Sequence, residues 1–568
     1  MKAKIADSSF LNEKVYYRFF LFLSWIILIC PLIDTKLIPG HDYVFHVTRI
    51  LDVGEAIKTG VFPVRMYVDD VQFWGAPVGI FYPSLFNYIP VLLKLAGVPV
   101  EVCYNIFIAL IFLLGFYASW YGFSLLTRSR SIGFFSAILY ISSGYYLIDA
   151  YIRNALGELL GLSFMPLAMA CIERFIGKDK IPIRIYIIGL MSISAIIQSH
   201  VLSSVFLVFF GIFNLLVQYN KNSAHKVYRL VLLVMLLFFL NAHFIIPFLV
   251  FYKSVPVDID FVDMFSQSGW PLAVTFQFLI LWSFWLLIAL IFFLSGIIHE
   301  LALILKRYLS GCCIGYKLLL IRTKVYVLYC LAGFLFLFMS TSAFPWDDLH
   351  SLKNVFKIMQ FPLRFLGIAT LCFCICGGFG IRRALRNIKL KNVSFISVAC
   401  LICITSLIAL YKFTPVSTSS YWTVPTKIRW VRMLSTTDDD YLYKDMDVKK
   451  LIMQRNRYVS AANISNYHKH LNRIVFSYDA KTDADIILPL VNYPGYTAVD
   501  QSGKEIKIEE NDNHMIVIPL AKGTGHIKVW YKGLLLFKVA DCISLVSLFL
   551  FLSFIFTYKR KRCNNLKN

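Results

Sequence analysis

Charge is scarce in this chain of 568 residues: 16% are charged, whereas 58% are hydrophobic and 16% aromatic. That excludes a soluble protein, because most of the chain must be dissolved in lipid and not folded around a water-facing core. Cysteine is missing from the one long polar stretch, residues 414–533, and nearly all of the 13 cysteines lie within or beside hydrophobic runs. A disulfide framework or zinc site in that stretch is therefore not indicated. No phosphate cradle of the G-x-x-x-x-G-K-[ST] type occurs, so ATP-driven transport lacks support. Internal repeats and low-complexity tracts are absent as well. No cofactor is expected, and no convincing ligand set for a divalent metal is present.

Long apolar runs are abundant, and residues 17–33, 102–126 and 227–250 are examples. About 20 helical residues cross the roughly 30 Å hydrocarbon layer. Spans placed at 16–33, 102–126, 131–148, 157–176, 183–200, 201–219, 227–252, 272–300, 323–343, 363–381, 393–412 and 536–557 give a polytopic α-helical membrane protein of about twelve helices. The net charge of +23 would suggest nucleic acid in a soluble protein. Here the basic residues sit between apolar runs and set orientation, so the lipid bilayer is the expected partner and nucleic acid is not.

Loops placed inside carry Arg128 and Arg130; Arg174, Lys178, Lys180 and Arg184; Lys221, Lys226 and Arg229; Lys306, Arg307, Lys317, Arg322 and Lys324; Arg382, Arg383, Arg386, Lys389 and Lys391; and the tail at 559–562. Every inward loop is basic, which puts both termini in the cytoplasm of a multi-pass cell-membrane protein. Residues 1–18, with Lys2, Lys4, Lys14 and Arg18, precede a full span without an obvious cleavage site, so a retained first helix is expected. Residues 84–98 decide the phase. They are apolar but short and broken by Pro83 and Pro90, and an interfacial helix outside keeps the alternation intact.

The domain reading is then a transmembrane region at 1–413 with a large first outward loop at 34–101, an extracytoplasmic β-rich domain at 414–535, and a final span with a basic tail at 536–568. Runs at 473–478, 485–490, 504–509, 515–519 and 526–531 read as strands, separated by turns at Asn492-Tyr-Pro-Gly-Tyr496 and Asp500-Gln-Ser-Gly503. A small β-sandwich is the natural arrangement.

In the first loop the pattern turns helical after Pro39-Gly40. Asp42, His46 and Arg49 share one face, while Tyr43, Val47, Ile50 and Ile57 form an apolar face. A carboxylate there can take the proton of an acceptor hydroxyl; a solvated polar face of an interfacial helix has the same pattern. Other ionisable groups reach the same side: Asp149, Arg153 and Glu158, His200, and Lys353, Lys357 and Arg364. Charged groups at membrane depth are costly and tend to line a cavity or pathway. Arg364 suits a lipid phosphate through its planar fork, or snorkels to water. His200 reads equally as a hydrogen-bonded packing residue. Asp258-Ile-Asp260 has the spacing of metal-dependent sugar transferases, yet two acids in three residues arise often by chance; Asp438-Asp-Asp440 reads as a surface run, and Asp69-Asp70 as either.

Five segments together resemble the YfhO-type bacterial membrane proteins of the wider GT-C glycosyltransferase group. They are Pro39-Gly-His-Asp-Tyr-Val-Phe-His-Val-Thr-Arg49, Gly75-Ala-Pro-Val-Gly-Ile-Phe-Tyr-Pro83, Arg153-Asn-Ala-Leu-Gly-Glu158, Gln360-Phe-Pro-Leu-Arg-Phe365 and Asn492-Tyr-Pro-Gly-Tyr496. The resemblance implies a GT-C-like fold and transfer of a sugar from a polyprenyl-phosphate donor, on the outer face, to a cell-surface glycan such as a teichoic acid. It implies Asp42 as the catalytic carboxylate of the first loop and Arg364 as the holder of the donor phosphate; His46, Arg49, Arg153, Glu158, His200 and Lys357 are the substrate-binding candidates among the ionisable residues of that side. Competing classes are a transporter or flippase of lipid-linked glycans and a non-catalytic envelope assembly protein. The first calls for charges near the middle of spans and for related halves; here most ionisable residues cluster at outer ends and no repeated halves are seen.

Overall fold

The structure, a computed structural model, describes residues 2–33, 40, 42–68, 74–178, 181–217, 223–256, 271–273, 275, 284–309, 316–356, 359–385, 391–413, 441–447, 449–451 and 457–564. Lys357, Asp69, Asp70, Asp258, Asp260 and Asp438–Asp440 lie outside the described residues.

Six described helices are long and apolar enough to cross a membrane: Val15–Leu32, Val100–Thr127, Leu156–Gly177, Lys226–Ser254, Pro362–Ala384 and Leu535–Tyr558. The pair Arg130–Ile141 and Gly144–Arg153, bent by 43°, makes a seventh if counted as one broken span. The other expected spans coincide with shorter apolar helices at Ile183–Ile197, Val201–Leu216, Trp285–Ile298, Val325–Met339 and Ser397–Ile408. Each expected span thus falls on an apolar helix, while length and composition carry a crossing for six or seven among the described residues. Residues 84–98 hold only a one-turn 3₁₀ segment, Leu85–Asn87, and the helix Tyr88–Leu95, too short to span. The chain is a multi-pass helical membrane protein with a C-terminal β-sheet region.

The chain divides into two compact units. The first comprises Met1–Tyr43, Tyr104–Leu230 and Asp260–Tyr421. Its most enclosed element is the helix Phe365–Ala384, buried along nearly its whole length. Small residues allow this: a Cβ added to Gly378 would lie 2.2 Å from Ser136 Oγ, and one on Gly380 2.4 Å from the Ala289 carbonyl. Such small faces let helix backbones approach closely in lipid, where packing replaces the hydrophobic drive. The helix Arg130–Ile141 starts at Ser129, whose hydroxyl accepts from the Ile132 amide at 3.3 Å and caps one of the unpaired first-turn donors.

The second unit comprises Val44–Cys103, Val231–Ile259 and Trp422–Asn568. Its centre is a β-sandwich of strands β1 (Val459–Ser460), β2 (Asn463–His470), β3 (Arg473–Ala480), β4 (Ala484–Val491), β5 (Tyr496–Val499), β6 (Glu505–Ile506), β7 (Glu509–Glu510), β8 (Met515–Leu520) and β9 (Gly523–Tyr531). One sheet has the order β1-β4-β8-β7 and the other β2-β3-β9-β5-β6. Alternate residues of both sheets form the shared core: Ile474, Phe476, Ile527 and Val529 from one, Ile486, Leu488, Ile516 and Ile518 from the other. Period-two alternation puts them all on the inner faces.

Besides the short strands β1 and β5, which the sequence reading does not place, two differences from it have physical causes. The run at 504–509 is not one strand; β6 pairs with β5 and β7 pairs with β8, so the chain crosses between sheets there. Strand β2 was not expected, because Asn463-Ile-Ser-Asn-Tyr-His-Lys-His470 is largely polar, and its mostly exposed residues need no apolar alternation.

The first-loop residues of this unit fold onto the sandwich. Met66, Trp74, Ile80 and Phe81 share a core with Phe251, Val491, Tyr493, Met515 and Phe537. The Val491 amide donates to the Trp74 carbonyl at 2.9 Å, and Asn472 Nδ2 to the Met66 carbonyl at 3.2 Å. Arg65 pairs with Asp541 of the final helix at 2.6 Å. The segments containing Gly75–Pro83 and Asn492–Tyr496 are therefore one packed structure.

Candidate active site

In the first unit the chain makes a sharp turn between Gly144–Ile148 and Leu156–Gly177. Residues Asp149–Arg153 form one π-helical turn, and Asn154 ends it in the left-handed conformation, φ 56°. Asparagine tolerates that geometry better than most residues. The turn aims Asp149 and Arg153 at Glu158, which lies in the first turn of the next helix, where a carboxylate also complements the helix dipole.

The result is a buried charge network. Arg153 Nη1 donates to Asp149 Oδ1 at 2.6 Å and to Glu158 Oε2 at 3.2 Å. Arg364 Nε donates to the same Glu158 oxygen at 3.3 Å, and Tyr145 Oη to Glu158 Oε1 at 2.6 Å. Arg364 Nη1 is fixed by the Met359 carbonyl at 2.9 Å and Gln360 Oε1 at 2.7 Å. The Phe361 ring stands against both guanidiniums, 4.3 Å from Arg364 Cζ and 5.5 Å from Arg153 Cζ, a favourable cation–π geometry. Asp149 and Glu158 side chains are 0% and 6% exposed, so the two carboxylates and two guanidiniums neutralise each other where neither could stand alone. Asp149 Oδ2 is buried with no hydrogen-bond partner among the described residues.

The start of the first loop joins this network. The Asp42 amide donates to the Arg153 carbonyl at 2.8 Å, and the Asp42 carboxylate acts electrostatically on both Arg153 and Asp149. Gly40 makes the approach feasible: a Cβ there would lie 2.0 Å from Asn154 Oδ1 and 2.4 Å from the Ile152 carbonyl. Asp42 itself is a turn residue immediately before the helix Tyr43–Lys58.

His200 follows the helix Ile183–Ile197 and is buried, with Nδ1 2.9 Å from Ser203 Oγ; it lies within electrostatic reach of Glu158 and Arg364. Lys353 pairs with Asp347 at 2.5 Å.

His46 and Arg49 belong to the second unit. They are 2% and 4% exposed, so they are not a solvated polar face. Arg49 Nη2 donates to the Pro83 carbonyl at 2.8 Å, its guanidinium covers the Tyr82 ring at 4.3 Å, and Asn87 Nδ2 returns a bond to the Arg49 carbonyl at 3.1 Å. Arg49 thus ties two of the noted segments together, and its fork is largely committed to protein.

Sequence reasoning passed over Tyr145, Gln360 and Phe361 as members of the network. Gln360 adopts φ 67°, unusual for a residue other than glycine. Gln360 and Phe361 stood inside a noted segment, and their contacts with Arg364 are local. Tyr145 carried no distinguishing signal.

No family model and no curated protein matches the chain. Among solved structures it is similar to ArnT from Cupriavidus metallidurans, determined bound to undecaprenyl phosphate, at 12% sequence identity and a TM-score of 0.36, over 71% of this chain and 75% of that one.

Proposed function

We propose that this protein is a membrane glycosyltransferase that moves a sugar from a polyprenyl-phosphate donor to a cell-surface glycan or teichoic-acid-type polymer on the outer face. The observation that carries the reading is one network: Asp42 bonds Arg153 through its main chain, and Arg153 shares Glu158 with Arg364. A general base and a phosphate holder have to meet across one sugar, and the contact between the three segments that carry Asp42, Arg153–Glu158 and Arg364 supports that reading.

In this reading Asp42 takes the proton of the acceptor hydroxyl, the oxygen attacks the anomeric carbon, and the bond from that carbon to the donor phosphate oxygen breaks. The bonding electrons leave with the lipid phosphate, whose charge Arg364 meets. Arg364 Nη2 has no hydrogen bond among the described residues and is the donor left for that purpose. Arg153 and Glu158 hold Arg364 in place, His200 stands within electrostatic reach of it, Lys357 adds positive charge, and His46 and Arg49 brace the first loop. One displacement inverts the anomeric centre. Basic inward loops orient the chain with both termini in the cytoplasm and the β-sandwich outside.

The decisive test is Asp42→Asn in a protein shown to insert and fold, assayed by comparing envelope glycans of cells carrying the wild type, the variant or no gene. Complete loss of a sugar branch in the variant is expected; unchanged transfer would sink the assignment.

A further inference from the structure

The β-sandwich unit carries a cavity of about 380 Å³, within the range of small-molecule sites. Tyr443, Tyr493, Tyr496, Asn492, Glu505 and Glu510 line it. The turn Asn492-Tyr-Pro-Gly-Tyr496 shapes it and closes only with glycine: Gly495 has φ 115°, and a Cβ there would lie 2.9 Å from the Tyr531 ring and 3.0 Å from Gly533 Cα.

The rings of the aromatic wall stack on one another, and their hydroxyls already donate within the protein. Tyr443 stacks between Tyr493, at 5.4 Å and 12°, and His514, at 4.1 Å and 14°. Tyr443 Oη donates to the Asn492 carbonyl, Tyr493 Oη to the Tyr441 carbonyl and Tyr496 Oη to Asn472 Oδ1, each at 2.9 Å. Tyr493 is 1% exposed and Tyr443 is covered by its stacking partners, so carbon surface comes from the Tyr496 ring with Pro494, Ile506 and Ile508, and hydrogen bonding is left to the two carboxylates, Asn492 and Thr497. Glu510 accepts one bond from Asn492 Nδ2 at 3.2 Å. Glu505 has only a water-exposed contact with Lys532 at 3.6 Å, which holds it weakly. Among the described residues no lysine or arginine lines the cavity. Acceptors exceed donors, and the local charge is negative. A ligand that fits must bring several donors and carbon–hydrogen surface, and no negative charge.

We infer that this cavity binds a neutral, hydroxyl-rich sugar unit, and that the unit belongs to the acceptor glycan. The acceptor role rests on the transfer reaction proposed above; the binding does not. The carboxylates accept sugar hydroxyls while Tyr496, Pro494, Ile506 and Ile508 pack against the ring carbons. A phosphate-bearing donor is repelled, so donor and acceptor are sorted to separate sites by charge.

The test is a calorimetric titration of the full-length protein in nanodiscs. Maltotriose, cellotriose and triacetylchitotriose serve as neutral probes, with glucose 6-phosphate as an anionic and glucosamine as a cationic control. At least one neutral trisaccharide should bind the wild type and Asp42→Asn equally. Glu505→Gln with Glu510→Gln, on exposed side chains that do not hold the fold, should weaken it about tenfold or more, the loss of roughly one charge-assisted bond. Absence of binding by all three neutral probes, binding of glucose 6-phosphate tighter than theirs, or an unaffected double variant overturns the inference, whereas glucosamine should bind more tightly than glucose 6-phosphate. Sugar binding with transfer intact in Asp42→Asn would reject the proposed reaction and leave the cavity; abolished transfer with no neutral sugar bound would do the reverse.

Discussion

Arg153 and Arg364 donate to a single oxygen, Oε2 of Glu158, from 3.2 and 3.3 Å. Two guanidiniums held this close repel each other unless a carboxylate stands between them, and Glu158 is only 6% exposed, so water cannot substitute for it. The pairing fixes the turn after Gly144–Ile148 against the entry to Phe365–Ala384.

Glu158→Gln should therefore cost stability as well as function. Removing one member of a buried pair leaves uncompensated charge, at about 3–5 kcal/mol. Thermal unfolding of the purified protein in detergent should show a clearly lower midpoint. A single variant as stable as the wild type would mean that the network does not hold these helices.

Gly40→Ala tests how Asp42 is delivered. The new methyl group meets a backbone carbonyl at 2.4 Å, which cannot swing aside as a side chain would. The first loop must move away from Asn154, at about 1–3 kcal/mol of overpacking, and the Asp42–Arg153 main-chain bond should be lost. Transfer should fall far more than the yield of inserted protein. Equal activity of Gly40→Ala and wild type would show that this approach does not position Asp42.

Lys469 makes the β-sandwich sensitive to pH. Its amine donates to the Pro489 carbonyl at 2.8 Å, and burial pushes its pKa down to about 7 from the usual 10.5. Between those values the unfolded chain carries a proton that the folded one does not, so this residue's contribution to stability rises with pH across the window and is lowest below about pH 7. Hydrogen exchange of β2 and β4 amides, corrected for intrinsic rates, should show protection rising from pH 7 to 9, and Lys469→Met should flatten the rise. An identical slope in the variant would assign the effect elsewhere.

Much of the fold is legible in the sequence because the bilayer imposes a simple demand. Apolar runs had to become helices, so each expected span falls on one, and Pro83 and Pro90 marked 84–98 as too short to cross. The strands of the sandwich follow from runs of β-branched and aromatic residues between turns, as at 473–478 and 515–519, whereas the polar strand β2 gave no such signal. Within the site the ionisable residues were visible because charge in an apolar chain stands out. Their pairing was not, since Glu158 and Arg364 are 206 positions apart. Asp42, His46 and Arg49 shared a helical face on paper. In the fold Asp42 precedes the helix, while His46 and Arg49 are buried and Arg49 holds Pro83.

By itself, then, the sequence determined a multi-pass helical chain with a β-rich C-terminal region, because hydropathy and the preference of β-branched and aromatic residues for strands act locally along the backbone. Tertiary structure alone decided that Gly40 passes beside Asn154, that Asp42 bonds Arg153, and that two arginines share Glu158. Those contacts join residues far apart in the chain, and a buried charge finds its partner only when packing closes off water and leaves the pair as the one low-energy arrangement.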